Sequence, residues 1–361
     1  QDNKPKGSTW GGIPIYNSAG QFNKMPRGFN NGANWSNWEQ YTRTIFSTLE
    51  HKFDNDWVAK IQLNHQINGY DAQLGAAAGG HPNPSTGTGV SMWAGNYKGE
   101  TKSDAADIYA TGPFQLFGRE HELVVGASIS ESTWKNNGYS APTGYKTSVD
   151  QYYQWNGNVA EPDWQKGNHW SNNETTKQNG FYLTSRLNLH DDLKVILGGR
   201  IANYKSEETK ESGIFIPYVG AVYDLNDQYS VYASYSTIFK PQSAQNPNGK
   251  TLDPLEGENY EAGIKGEFFD GRLNASLAYY QLKQDNFAKE IPNVLTPSGG
   301  VASEALQGVK TKGAELEVTG EIRPGWNLHA GFNHKISKQD GIKQSTLTPE
   351  NEFSLYTSYK L

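Results

Sequence analysis

The sequence predicts an all-β fold, an antiparallel transmembrane β-barrel, and three observations carry this prediction. Segments of about ten residues alternate apolar and polar side chains, as a strand with one lipid-facing side does. Short turns and long polar connections follow one another along the chain, an asymmetry typical of transmembrane barrels. Aromatic residues cluster beside the short turns, where a girdle at the membrane interface is expected.

The composition agrees with a folded β protein and excludes several classes. Aromatic residues make up 12% of the 361 residues, too many for a disordered chain. The net charge of -6 comes without a block of Lys or Arg, which argues against a nucleic-acid partner. The absence of Cys excludes a thiolate metal site and a cysteine nucleophile. No apolar run is long enough for a membrane-spanning helix.

The segment 57–67 shows the alternation clearly. Its odd-numbered residues from Trp57 to Leu63 are apolar, whereas its even-numbered residues from Lys60 to Gln66 are polar. Similar segments flank six short turns built from residues that accept tight-turn dihedrals: Asp54-Asn55-Asp56, Phe117-Gly118, Asp191-Asp192, Asn226-Asp227, Asp270-Gly271 and Arg323-Pro324-Gly325.

The hairpin around Asp270-Gly271 predicts which solvent each face meets. We expect the lumen side to carry the charged and polar residues, because charge costs little in a wet lumen. The lipid side then carries Tyr260, Ala262, Ile264, Phe268, Leu273, Ala275, Leu277 and Tyr279, and the lumen side carries Glu261, Lys265, Glu267, Arg272, Asn274 and Ser276.

About thirteen strands result from this pattern, and we treat residues 1–361 as one partial transmembrane barrel domain. The long connections are predicted at 1–40, 71–102, 134–175, 240–257 and 287–307, with shorter ones at 205–212 and 339–350. The aromatic girdle is predicted to comprise Phe53, Trp57, Phe114, Phe117, Tyr223, Tyr229, Phe268, Phe269 and Trp326. The chain starts at Gln1 in a polar stretch and stops on an apparent strand, so we expect it to be a fragment of a longer protein.

Catalytic constellations are absent from the sequence. The eight His residues lack zinc-site spacing, and neither a P-loop, a dinucleotide-binding motif nor a nucleophile elbow occurs. We therefore expect no enzyme, no catalytic residue, no protein-held metal and no cofactor.

The long connections are instead rich in aromatic residues, since eight of the ten Trp lie in them or at their base. Each could simply anchor a long loop. As a set they indicate an aromatic-lined vestibule for a bulky, partly planar ligand of mixed polarity, because aromatic walls bury apolar surface while amides and charges fix polar groups. A ferric siderophore has these properties.

The stretch 232–273 resembles the mid-barrel region of TonB-dependent outer-membrane receptors. The matching positions are Tyr232, Ser234, Phe239, Pro241 and Gln242, then Leu252, Pro254, Gly257, Asn259, Tyr260, Glu261, Gly263 and Lys265. The segments 8–17, 223–236 and 308–322 are similar to the ferric-coprogen and ferric-pyoverdine receptor subgroup.

This resemblance implies a barrel of about 22 strands with an N-terminal plug, in the bacterial outer membrane. It implies uptake of an iron-loaded siderophore, of hydroxamate or mixed type, energised by the TonB complex. The iron is then cargo carried within the ligand. We expect the plug, the TonB-contacting region and the terminal strands to lie outside this chain, and expect outer-membrane lipid around the barrel.

In that subgroup the ligand lies against aromatic residues on apical loops. Trp10 is carried over from the W-G-G-x-P motif, and the other candidates follow from loop location: Trp35, Trp38, Trp93, Tyr152, Tyr153, Trp155 and Trp164. Haem and cobalamin are less favoured, because their loop patterns are absent. The alternatives are a passive porin or adhesin barrel and a soluble all-β protein that binds or hydrolyses carbohydrate.

Overall fold

The structure, a computed structural model, describes residues 1–145, 148–344 and 348–360. It is all-β, with 68% of residues in strands that pair in antiparallel fashion. The helical residues of the described part are two 3-10 turns, Tyr152–Gln154 and Trp164–Lys166. Within the same residues, no helix has both the length and the apolar character needed to cross a membrane.

Eighteen strands are formed by the described residues, and most are longer than strands of soluble sheets. They are β1 (Asp2–Asn3), β2 (Asn37–Lys52), β3 (Val58–Gly80), β4 (Val90–Leu116), β5 (Arg119–Ser140), β6 (Ser148–Val149), β7 (His169–Asn188), β8 (Leu193–Lys205), β9 (Lys210–Asp224), β10 (Tyr229–Lys240), β11 (Leu255–Phe268), β12 (Leu273–Asp285), β13 (Phe287–Leu295), β14 (Val301–Leu306), β15 (Val309–Arg323), β16 (Trp326–Gln339), β17 (Ile342–Lys343) and β18 (Asn351–Tyr359).

The main sheet is a meander in which consecutive long strands are hydrogen-bonded neighbours. Its order is β1-β2-β3-β4-β5-β7-β8-β9-β10-β11-β12-β15-β16-β17, with β18 paired to β16 and β6 paired to β4. Thirteen of these strands have nine or more residues, which matches the predicted number. The hairpin β13-β14 forms a separate two-stranded sheet, which is inserted along the chain between the paired strands β12 and β15.

The six predicted short turns are all confirmed as connections between consecutive long strands. Several turn residues adopt left-handed backbone angles, which tight turns require. They include Asp56 at φ 64°, Phe117 at 53° and Asp270 at 56°.

Most predicted connections are longer than the observed ones, and three differ substantially. Strand β3 continues to Gly80 and β4 begins at Val90, so the connection predicted at 71–102 is reduced to 81–89. The connection predicted at 134–175 is reduced to 141–168. The stretch predicted as a loop at 287–307 contains the hairpin β13-β14.

The Ala/Gly-rich end of β3 carries no alternation that would predict a strand, and pairing with neighbouring strands imposes the extended conformation. Lys146, Thr147, Ser345, Thr346, Leu347 and Leu361 lie outside the described residues. Parts of the connections predicted at 134–175 and 339–350, and the last residue of the chain, therefore lie outside the described structure.

The register confirms that the two predicted sets of residues lie on separate faces of the hairpin 259–282. Residues directly opposite each other on neighbouring strands share a face. Ile264 lies opposite Leu277, and Phe268 lies opposite Leu273, whereas Lys265 lies opposite Ser276. One face of β11 and β12 is therefore apolar and the other polar, as the alternation predicts.

The chain divides into two compact units. Unit 1 comprises residues 1–48, 62–106 and 129–177, and unit 2 comprises residues 49–61, 107–128 and 178–361. Unit 1 contains the N-terminal segment, the connection 141–168 and the strand ends that lead into it. Unit 2 contains the short turns and the complete strands from β8 onward.

Leu277 provides a direct test of which face meets lipid. A Leu277→Lys substitution in the full-length protein should lower the free energy of unfolding from lipid vesicles by ~2–4 kcal/mol, because a cation would enter hydrocarbon. Ser276→Lys on the adjacent polar face is the matched control and should cost little. Urea titration of the vesicle-inserted protein measures both, and equal losses would contradict the assigned faces.

Candidate functional site

Five aromatic rings of unit 1 form one connected cluster, which we call the Trp10 cluster: Trp10, Trp38, Trp93, Tyr97 and Trp170. The Trp10 ring centroid lies 5.4 Å from that of Trp38, 6.3 Å from that of Trp93 and 4.8 Å from that of Tyr97. Tyr97 also contacts Trp170 at 5.7 Å. Trp10 remains 49% exposed, so the cluster presents aromatic surface to solvent rather than closing on itself.

The W-G-G segment that carries Trp10 is held against β3 by one buried side chain. Asn31, 3% exposed, donates from Nδ2 to the carbonyl oxygens of Gly11 and Gly12, each at 3.1 Å, and of Ala77 at 3.3 Å. Its own carbonyl accepts from the Ala77 amide at 2.9 Å. Asn31 therefore fixes the backbone next to Trp10 to a strand of the sheet.

Gly11 allows this close approach. A Cβ atom at Gly11 would lie 2.6 Å from the Cβ atoms of both Ala76 and Ala78, closer than packed carbons tolerate. The second glycine of the motif, Gly12, has open space at the same point. The small residues on both sides thus set the distance between the W-G-G segment and β3.

Trp93 and Tyr97 share a face of β4 because they are four residues apart on a strand. Their rings stack at 6.3 Å with an interplanar angle of 20°. The Tyr97 ring lies over Gly95, where a Cβ atom would be 2.5 Å from it. A glycine between two aromatic residues lets one ring lie flat along the strand.

The remaining predicted residues form a different group, the loop core. Tyr152 is fully buried and packs with Ala33, Ala77, Val90, Met92 and Val149. Trp35 and Trp155 lie at the edge of this core, and the Trp155 indole donates to the Gly32 carbonyl at 3.1 Å. Strand β6 joins the core to β4 through the pair Val90 and Val149.

The two groups lie on opposite faces of β3. Gly11 of the W-G-G segment contacts Ala76 and Ala78, whereas the Trp35 ring lies over Gly75. Alternate residues of a strand point to opposite sides, and Ala77 belongs to the loop core. The eight predicted residues therefore do not line one surface.

Tyr153 and Trp164 lie at the rim of the loop core. Tyr153 is 38% exposed and contacts Tyr152 with ring centroids 6.1 Å apart. Trp164 contacts Trp35 at 6.0 Å and donates from its indole to Glu161 at 2.8 Å.

Two members of the Trp10 cluster, Tyr97 and Trp170, were missing from the predicted site. Trp93 and Tyr97 are four residues apart, a spacing that predicts a shared face if both lie on a strand, but the segment was predicted to be a loop. Trp170 lies in β7, and only the tertiary structure brings it to Tyr97.

Three buried polar groups of these two clusters have no hydrogen-bond partner in the described part of the protein: Trp35 Nε1, Trp38 Nε1 and the Tyr152 hydroxyl. Burial, followed by the neighbouring Tyr153, raises the pKa of Tyr152 to about 12. The Tyr152 side chain is therefore neutral throughout the physiological range. The described residues contain no group of three or more His, Asp or Glu side chains arranged to hold a metal ion.

An antiparallel sheet of long amphipathic strands, joined alternately by short turns and long connections, is typical of outer-membrane β-barrel proteins. The chain belongs to the TonB dependent receptor-like, beta-barrel family, which it matches over residues 1–361. It is accordingly part of an outer-membrane protein.

The relatives include several pyoverdine receptors. The chain is 50% identical to the ferripyoverdine receptor of Pseudomonas aeruginosa, with 100% of this chain and 45% of the relative covered. It is 38% identical to the ferric-pyoverdine BN7/BN8 receptor of Pseudomonas putida, with 97% of this chain and 44% of the relative covered. The chain thus spans about half the length of the curated relatives it matches.

A solved structure confirms the fold similarity. The crystal structure of the outer-membrane ferripyoverdine receptor of Pseudomonas aeruginosa bound to ferripyoverdine superposes with a TM-score of 0.90 at 49% identity. The alignment covers 100% of this chain and 49% of that structure.

Asn31→Ala tests how the Trp10 cluster is held. Removing a buried amide that serves three carbonyls should cost the W-G-G segment about 1–3 kcal/mol of local stability. We expect faster proteolysis within residues 1–35 of the folded full-length protein. Asn158→Ala, at an exposed loop position, is the control, and equal protease resistance of both variants would contradict the anchoring role.

The loop core should loosen at alkaline pH. The folded state keeps the Tyr152 proton up to about 12, whereas the unfolded loop loses it near 10.0, so stability is complete below pH 10 and falls as pH rises between these values. Tyr152→Phe should reduce this loss while keeping the ring, and a smaller loss should remain because burial also raises the pKa of Tyr145, which packs against the same core.

A fluorophore attached to Asn158→Cys would report the opening, since the chain has no native Cys. Tyr153→Phe, at the exposed neighbour, is the control and should leave the alkaline transition in place. A transition of the same size in the Tyr152→Phe protein would refute the assignment.

Proposed function

We propose that this chain is part of an outer-membrane receptor that takes up an iron-loaded siderophore of the ferripyoverdine type. The observation that carries the proposal is its 50% identity to a ferripyoverdine receptor across its whole length. The exposed aromatic surface of the Trp10 cluster adds a place for a bulky ligand with planar parts. Neither a porin nor a carbohydrate-binding protein has comparable support.

Trp10, Trp38 and Trp93 would contact the ligand directly, together with Tyr97 and Trp170. Near-parallel rings such as those of Trp93 and Tyr97 offer a broad apolar face to a planar group. Trp38 Nε1 has no partner among the described residues and could donate to a ligand oxygen, which removes the cost of its burial.

Four aromatic residues of the loop core would position the binding loop without contacting the ligand: Trp35, Tyr152, Trp155 and Trp164. Their packing with buried apolar residues and the hydrogen bond from Trp155 to Gly32 support this supporting role. Tyr153 is the exposed member of the group and would reach a ligand at the rim.

The other roles follow from family membership. We infer a TonB complex as the energy-coupling partner, acting through a part of the receptor beyond this chain. Iron enters as cargo inside the siderophore, so the barrel needs no cofactor and performs no catalysis. The relatives are named as receptors, which supports a transport role.

Ferripyoverdine binding tests the direct role of the Trp10 cluster. Trp10→Ala and Trp93→Ala in the full-length receptor should each weaken the equilibrium affinity about 10- to 100-fold, because truncating a central aromatic anchor typically costs a few kcal/mol. Iron-radiolabelled ferripyoverdine binding to purified receptor measures this. Cellular uptake of the same label should fall in parallel.

Trp326→Ala is the matched control, because Trp326 lies beside a short turn and donates to Thr357 at 2.8 Å. It should bind ferripyoverdine as the unmodified receptor does. If the unmodified receptor binds neither ferripyoverdine nor any other ferric siderophore, the proposed function fails.

A further inference from the structure

Three lysines stand side by side on the apolar face of β12, β15 and β16. Lys310 lies directly opposite Lys283 on β12 and Lys338 on β16. Residues opposite each other share a face with Cβ atoms ~5 Å apart, and like charges so placed destabilise a sheet. Lys312, two residues along β15, adds a further cation on the same face.

This cationic group has little compensation from the protein. Lys283 lies 3.7 Å from Asp285, so the cations left for a ligand are Lys310, Lys312 and Lys338. Asp340 borders the site, and Glu350, which forms an ion pair with Lys343, also interacts electrostatically with Lys338. Within the described ranges, Lys310, Lys312 and Lys338 form no ion pair, and all three are exposed. An anion between these lysines would relieve their mutual repulsion.

The lysines lie at the edge of the apolar band. Toward the short turns, the row of Lys312 and the row of Ala314, which still contains His334, come first on the same face. Three wholly apolar rows then follow, and the first of them contains Leu277, Leu316 and Phe332. The row of Lys310 is ten residues from that of Gly320 near the short turn. At ~3.3 Å per residue and ~40° tilt this corresponds to ~25 Å, the height of the apolar band of a transmembrane barrel.

The strand ends that carry the lysines lead away from the short turns, toward the side of the long connections. In outer-membrane barrels this side is the cell exterior. The lysines are therefore at the level of the headgroups of the outer leaflet.

A groove of about 610 Å³ joins the charged and apolar parts of this face. Lys310, Lys312 and Lys338 border it together with His334, and Tyr279, Ala314 and Ile336 provide its apolar wall. Tyr279 is 53% exposed, so a large ring is available at the base of the groove. Cations above an apolar wall match an amphiphile with a phosphate headgroup and acyl chains.

We propose that this groove is a specific binding site for a phosphorylated lipid of the outer leaflet. The ammonium groups of Lys310, Lys312 and Lys338 hold the phosphate, since each cation near a membrane surface attracts anionic lipid and phosphate accepts charge-assisted hydrogen bonds. The acyl chains lie along the apolar rows of β12, β15 and β16. The site is separate from the Trp10 cluster and does not require siderophore binding.

The experiment compares lipids with and without phosphate on the purified full-length receptor in detergent. Bisphosphorylated lipid A should bind and should raise the thermal stability of the receptor, whereas dephosphorylated lipid A should bind at least ~10-fold more weakly. The combined variant Lys310→Ser, Lys312→Ser, Lys338→Ser should lose the same factor for the phosphorylated form. Native mass spectrometry gives the bound lipid, and thermal unfolding gives the stabilisation.

Two controls make the outcome decisive. The combined Lys→Arg variant at the three positions keeps the charge and should retain binding, which guards against loss through misfolding. Replacing Lys24, Lys166 and Lys250 by Ser removes the same charge elsewhere and should leave binding unchanged.

Inorganic phosphate distinguishes a lipid site from a simple anion site. If phosphate alone stabilises the receptor as much as phosphorylated lipid A does, the proposed lipid site is refuted. Equal binding of both lipids, or undiminished binding by the combined Ser variant, would also overturn it.

Discussion

Cross-strand pairing with strict alternation of side chains is the constraint on which the rest of the structure depends. Each long strand is hydrogen-bonded to its neighbours, so directly opposite residues share a face from one strand to the next. One apolar strand face thereby becomes an apolar sheet face. The pairing also fixes where that face ends, because charged residues of neighbouring strands fall in the same row.

The longest strands extend beyond the membrane-spanning part of the sheet and support the long loops. β3, β4 and β5 have 23, 27 and 22 residues, well beyond the ~10 needed to cross the hydrocarbon layer. Their ends in unit 1 carry the Trp10 cluster on one side of β3 and the loop core on the other. A rigid strand between two aromatic groups lets one group present surface while the other secures the loop, which is the arrangement a preorganised binding site needs.

The buried polar groups near the Trp10 cluster are of two kinds, those that hold a loop and those left available for a ligand. Asn31 satisfies three carbonyls and holds a loop segment, whereas Trp38 Nε1 has no partner among the described residues. Buried polar groups are usually paired in folded proteins, so an unpaired donor beside exposed aromatic rings is a reasonable contact for a ligand. By the same reasoning, Lys310, Lys312 and Lys338, which form no ion pair in the described part of the protein, are available to bind a lipid phosphate on the apolar face.

Much of the fold could be predicted from local patterns. The six short turns and the faces of the hairpin 259–282 depend on turn residues and on a period of two, and both act within a few neighbouring residues. The extension of β3 through its Ala/Gly-rich end was missed, because pairing with other strands rather than propensity makes it extended.

The sequence by itself determined which residues alternate, where tight turns form and that the long connections are aromatic. Only the tertiary structure decided which aromatic residues meet. Trp10, Trp93 and Trp170 are far apart in the chain, and Trp35 lies three residues from Trp38 yet joins a different group. The reason is geometric: the side of β3 on which a segment packs depends on contacts such as Gly11 against Ala76, which no spacing in the sequence expresses.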